Sequence, residues 1–170
     1  MTEIKNKKWL FIFLIATICW ISVIFGFSLQ PADVSSEMSS GLGKMLLETF
    51  APEFLDELEN MSGDQLGLLH HLLRKCAHFT EYFVLGVLMM LTLLQMFFKK
   101  KAAIGTGASM LVASVDETIQ RFVPGRSGQV TDVLLDTIGA GVGIAVAYLM
   151  VRWLYLKLRN GSDREGNKSH

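Results

Sequence analysis

From Trp9 to Phe27 nineteen residues pass without a charge. A hydrocarbon core of about 30 Å needs roughly 20 apolar residues of helix. This run is therefore long enough to cross a bilayer as one helix, over about residues 9–29. Lys5, Lys7 and Lys8 precede it, as they would precede a signal peptide. No A-x-A-like cleavage site follows, and the run exceeds a usual signal-peptide apolar core. It reads as a retained spanning helix.

Three later runs fall under the same constraint. Tyr82–Phe98 is charge-free. A third run opens at Ala102, meets Asp116 and Glu117, and reaches bilayer length near Val123 only if these acids are included. The fourth, Val133–Val151, contains Asp136. The last two qualify as spans only if their acids face protein and not lipid. With 51% hydrophobic residues, the composition is that of a membrane chain. The expected fold is all-α, an integral membrane four-helix bundle with spans near 9–29, 77–98, 102–123 and 133–153.

Basic residues orient such a bundle. Lys5, Lys7 and Lys8, then Lys99–Lys101, then Arg152, Lys157, Arg159, Arg164 and Lys168 all fall on one side of four spans. The loop of residues 30–73 carries eight acids and one lysine. Both termini are expected in the cytoplasm, with 1–8 as a short N-terminal segment, 9–159 as the membrane domain and 160–170 as a disordered tail. Trp9, Trp153 and Tyr155 fit an inner aromatic belt. In the outer loop Val34, Met38, Leu42, Met45 and Phe50 recur at helical spacing. A short acidic helix in "PEFLDELENM" follows, and Ser62 with Gln65 forms a capping-box signal. These outer helices are expected to lie on the membrane surface over the bundle. Cys19 and Cys76 show neither zinc-finger nor disulfide spacing and read as two packed thiols.

The stretch "RKCAHFTEYFVLG" places ionisable groups at the mouth of the second span. At about 100° per residue, Arg74, His78 and Glu81 share one face, while Lys75 and Tyr82 share the flank roughly 80–100° away. On the third span Asp116 and Gln120 share a face with Gly105 and Ser109. On the fourth, Asp132 and Asp136 share one with Gly139 and Gly143. Small residues let helix backbones approach, so Gly105, Ser109 and Ala113 are expected against Gly139, Gly143 and Ala147. Topology then gathers Ser28, Gln30, Arg74, Lys75, His78, Glu81, Tyr82, Asp116, Glu117, Gln120, Arg126, Asp132 and Asp136 into one outer polar pocket. A purely structural arrangement would instead lock helix register through Arg74–Asp132 and His78–Asp116.

"RKCAHFTEYFVLG", "DETIQRFVPGRSGQVTDVLLDTIGAGVG" and the first-span ending "FSLQP" resemble the signatures of VanZ-like membrane proteins over roughly residues 20–150. The resemblance implies a bacterial integral membrane protein; the family's named member is linked to resistance to the glycopeptide teicoplanin. Asp136 stands where the family commonly has Asn, which adds a negative charge to the pocket.

Two uses of the pocket stay open. It can bind an anionic lipid or cell-wall precursor through Arg74, Lys75 and Arg126. It can instead act as an enzyme on a lipid-linked or phosphate-bearing substrate, with His78, Glu81 and Asp116 as general acid/base residues. A metal reading would use His78, Glu81, Asp116 and Asp132, but one histidine among carboxylates is a weak zinc signal. No metal or other cofactor is expected. The sequence carries no P-loop or nucleophile elbow, and no basic stripe for nucleic acid. Four spans are few for a transporter, which leaves a homo-oligomer open.

Overall fold

Asn6 starts the first helix, its side-chain oxygen accepting from the backbone N–H groups of Lys8 and Trp9. The computed structural model describes residues 6–54, 60–96 and 100–166. Its helices are α1 (Lys7–Ser28), α2 (Ala32–Phe50), α3 (Gly63–Leu94), α4 (Lys101–Gln120) and α5 (Val130–Gly166), with a 3-10 turn at Pro52–Phe54. The fold is all-α, as the apolar runs require.

Ser62 and Gln65 form the reciprocal capping box that starts α3. The helix then continues unbroken through Arg74, His78 and Glu81 into the apolar run. The expected acidic helix after Pro52 opens as the 3-10 turn, and residues 55–59 of it lie outside the described residues. So do Lys99 and residues 167–170. The chain remains helical past Asn160 to Gly166, where the sequence reads as disordered. An established helix extends at the cost of ordering one residue per added hydrogen bond, which a polar segment can meet.

The helices α1, α3 and α5 (to Asn160) are long and apolar enough to cross a membrane. This is a membrane protein. Its outer surface carries large apolar side chains, among them Phe11 at 66% exposure and Leu111 at 70%, as lipid contact demands and water does not favour. Cys19 and Cys76 are free and exposed, not packed thiols. The more polar α4 does not meet the spanning criterion by itself. It nevertheless packs against α1, α3 and α5 and buries Asp116, Glu117 and Gln120.

The core joins these four helices. Ile24 of α1, Tyr82 and Leu85 of α3, Ala113 of α4 and Ala140 of α5 pack as one buried cluster. Met90, Ile144 and Ala147 form a second. Across α1 and α3, the hydroxyls of Thr17 and Thr92 meet at 3.1 Å.

The small-residue stripe of α5 meets a different partner from the one its spacing was expected to find. A Cβ at Gly143 would lie 2.0 Å from the Phe83 carbonyl oxygen, and one at Gly139 would lie 2.7 Å from that of Phe79. Both glycines therefore face α3. Gly86 answers from the other side, where a Cβ would lie 2.0 Å from the Ala140 carbonyl oxygen. On α4, Gly105 meets the Ile144 side chain instead of a glycine. A small-residue stripe specifies that some backbone comes close; it does not say which. The contact between α3 and α5 is the most extensive in the fold.

Gly143→Ala and Gly86→Ala should each force these backbones apart and cost about 1–3 kcal/mol. Gly141 has open space around its Cβ position, so Gly141→Ala should be neutral or stabilise by up to about 1 kcal/mol. Melting midpoints in detergent will separate the two classes; equal midpoints for Gly143→Ala and Gly141→Ala would refute the close approach.

Candidate functional site

The polar residues collect at the end of the bundle where α1 and α4 finish and α5 begins. Ser28 is the last residue of α1. Asp116 and Gln120 are one turn apart on α4, so they share a face. The Ser28 hydroxyl donates to Asp116 Oδ1. Gln120 Nε2 donates to Asp116 Oδ2 at 3.2 Å and to Ser28 Oγ at 3.4 Å. All three are buried. A carboxylate in this setting needs its acceptors filled, and both oxygens of Asp116 are.

The connection from α4 to α5 turns sharply at Val123–Arg126. Pro124 and Gly125 occupy its centre, Gly125 takes φ of 74°, and the Arg126 N–H reaches the Val123 carbonyl at 3.2 Å. That is a type II turn, whose third position requires a left-handed residue. The turn brings Arg126 back over the end of α1, where its Nη2 donates to the Phe27 carbonyl at 3.2 Å. Its Nε and Nη1 are buried without a hydrogen-bond partner among the described residues. Burial pushes the guanidinium below its usual pKa, and Arg74 nearby adds to the effect. An arginine stays charged even so, and this one is poorly solvated. Beyond the turn, the Gln129 N–H donates to Glu117 Oε2 at 2.9 Å, tying the start of α5 to α4.

On α3, Trp20 Nε1 donates to the Glu81 carbonyl at 2.9 Å and fixes α1 against this face. Tyr82 is fully buried beneath it. Lys75 pairs with Asp132, and His78 Nδ1 stands 4.0 Å from Asp136 Oδ1. The expected pairs Arg74–Asp132 and His78–Asp116 are thus replaced. Lys75 lies on the flank of α3 that faces the first turn of α5, so it reaches Asp132 and leaves Arg74 turned elsewhere.

Arg74 turns into a cavity of about 300 Å³. Gln30, Ser35, His78, Glu81 and Arg126 supply the rest of its polar lining, and Phe27, Met38 and Leu42 an apolar wall. Lys75 and Asp132 line a smaller adjoining cavity with Ser127 and Gln129. Asp116, Glu117, Gln120, Asp136 and Tyr82 lie behind these surfaces in the bundle. The charged residues that line these cavities are among those the sequence singles out; the apolar wall from α2, Trp20 and Gln129 are not. Met38 and Leu42 are four apart on a helix, a visible signal of one face, but nothing in the sequence says which surface that face covers. Gln129 acts through its backbone, which leaves no side-chain signature.

Elements, turn and buried polar residues all fall within the reach of one family description. A model of the VanZ/LLP1 family matches residues 13–152. The chain belongs to the VanZ/LLP1 family. Searches of curated proteins and of solved structures find no match. The VanZ/LLP1 match spans α1 through most of α5, so it includes every residue of the polar end described above.

Gln120→Leu would leave Asp116 Oδ2 unpaired and should cost about 1–3 kcal/mol. Ser28→Ala should behave likewise, and the pair of changes together should depart from additivity by about 0.5–3 kcal/mol. Thr118→Ala, on the exposed side of the same helix, should change stability by less than about 0.5 kcal/mol. Additive effects in a double-mutant cycle would show that the three groups do not act as one network.

Proposed function

We propose that this VanZ-family membrane protein binds an anionic, amphiphilic envelope component, a lipid or a lipid-linked cell-wall precursor, and through it affects glycopeptide susceptibility. The observation that carries the reading is the composition of the 300 Å³ cavity. Two guanidinium groups, Arg74 and Arg126, share it with the apolar side chains of Phe27, Met38 and Leu42. Arg126 brings buried N–H donors that lack hydrogen-bond partners among the described residues. An acidic head group satisfies such donors, and a chain attached to it suits the apolar wall.

The proposed topology has four spans, α4 included, with both termini cytoplasmic and the cavity on the opposite side. The lysine clusters and the acidic loop between α1 and α3 support it. The polar lining of the cavity then faces the outer head-group region.

A second reading has its own observation. His78 and Glu81 line the same cavity as the arginines. General acid/base catalysis on a phosphate-bearing lipid would place those two side chains against the substrate. Asp116, set behind the cavity and held by Ser28 and Gln120, would then serve by position.

Binding is tested with protein in nanodiscs, by native mass spectrometry of retained phosphatidylglycerol, polyprenyl phosphate and phosphatidylcholine. The anionic lipids should be retained and phosphatidylcholine should not. Arg126→Gln and Arg74→Gln should each weaken retention about 10-fold or more. Indifference to lipid charge would sink the proposal, and release of a cleaved head group would move the assignment to the enzyme reading. His78→Gln and Glu81→Gln, checked for normal membrane accumulation, should alter glycopeptide sensitivity of cells carrying them.

Orientation is tested in a background of Cys19→Ala and Cys76→Ala. An impermeant thiol reagent on intact cells should label Ser40→Cys and spare Lys100→Cys. The reverse pattern would invert the topology.

A further inference from the structure

Behind the cavity wall, four side chains from three helices converge. His78 of α3, Asp116 and Glu117 of α4, and Asp136 of α5 each bring a ligand-type atom within 4.8 Å of the others. Asp136 is 0% exposed, and neither of its carboxylate oxygens has a hydrogen-bond partner among the described residues. His78 Nδ1 and Glu117 Oε1 are also buried without hydrogen-bond partners among the described residues. Three carboxylates crowded this closely repel one another. A buried carboxylate with no donor at either oxygen is among the costliest arrangements in a protein interior. Lys75, the neighbouring cation that does pair, is engaged by Asp132.

We infer that His78, Asp116, Glu117 and Asp136 form a binding site for a divalent first-row metal ion, of the manganese or zinc class. Ligand oxygens and nitrogens stand about 2.0–2.2 Å from such ions, so two ligand atoms on one ion lie roughly 3–4.4 Å apart. The His78 Nδ1 to Asp136 Oδ1 separation of 4.0 Å is too long for a hydrogen bond and matches that spacing. One imidazole among carboxylates suits a borderline ion better than calcium or magnesium, which take oxygen alone. The bonds from Ser28 and Gln120 to Asp116 then act as outer partners that orient a ligand, since each carboxylate oxygen keeps a second lone pair. The Gln129 N–H does the same for Glu117. The metal reading weighed from sequence grouped Glu81 and Asp132 with His78 and Asp116, whereas the structure gathers Glu117 and Asp136 with those two. Glu81 lines the cavity and Asp132 pairs with Lys75, while Glu117 and Asp136 take the inward places.

The site shares His78 with the cavity wall but does not depend on the lipid-binding proposal, and it is tested with metal alone. Full-length protein in detergent is stripped with chelator, equilibrated with Mn²⁺ or Zn²⁺, freed of unbound ion and assayed for metal by mass spectrometry. One ion per chain should be retained, and the melting midpoint should rise with ion concentration. Asp136→Asn and Glu117→Gln, each checked for monodisperse elution and helical content, should weaken binding by more than about 10-fold. Asp136→Asn discriminates further. Without a cation site, removing an uncompensated buried charge raises the midpoint and leaves metal response unchanged. With one, the metal-dependent rise is lost. The inference is overturned if wild-type protein retains neither ion, or if Asp136→Asn binds and responds as wild type does.

Discussion

The structure depends on keeping the carboxylates of α4 away from hydrocarbon. Asp116 and Glu117 lie in a helix packed among three apolar, membrane-length helices, so they must be enclosed by protein. Ser28 closes one side from α1, Gln120 the next turn of α4, and the Gln129 backbone the start of α5. The rest of the packing makes that enclosure tight. Gly86, Gly139 and Gly143 let α3 and α5 meet backbone to backbone, and this draws His78 and Asp136 in behind α4. A larger residue at those glycines would widen the bundle where its charges are most concentrated.

Much of this was legible in the sequence. The period of α3 put Arg74, His78 and Glu81 on one face, and the alternation of apolar runs put the polar ends of all the helices together. The capping box at Ser62 marked the start of α3 to the residue. What the sequence hid was pairing. Arg74 and Lys75 are adjacent, and helical angles alone do not say which flank meets α5; the structure gives Asp132 to Lys75. The glycines of α5 announced a close contact but not that α3 would make it. The tail beyond Asn160 is polar by composition, yet helix propagation carries it on to Gly166.

Membership of the VanZ/LLP1 family and the geometry of the polar end bear on different questions. The family match fixes the kind of chain and covers the elements that build the site. The division of labour within the site comes from burial. Arg74, His78, Glu81 and Arg126 border the cavity, whereas Asp116, Glu117 and Asp136 are sealed inside. His78 alone belongs to both groups, with its ring at the wall and Nδ1 turned inward. Any event in the cavity that moves this imidazole is felt by the sealed carboxylates.

The turn at Val123–Arg126 has a mechanical side. The N–H of Ala32, the first residue of α2, reaches the Pro124 carbonyl. A side chain at Gly125 would press on the Ala32 methyl at 3.1 Å. The helix bearing Met38 and Leu42 is thereby hinged to the loop bearing Arg126. The apolar and cationic walls of the cavity are tied together at this point, so a displacement of α2 would be transmitted to the turn that carries Arg126.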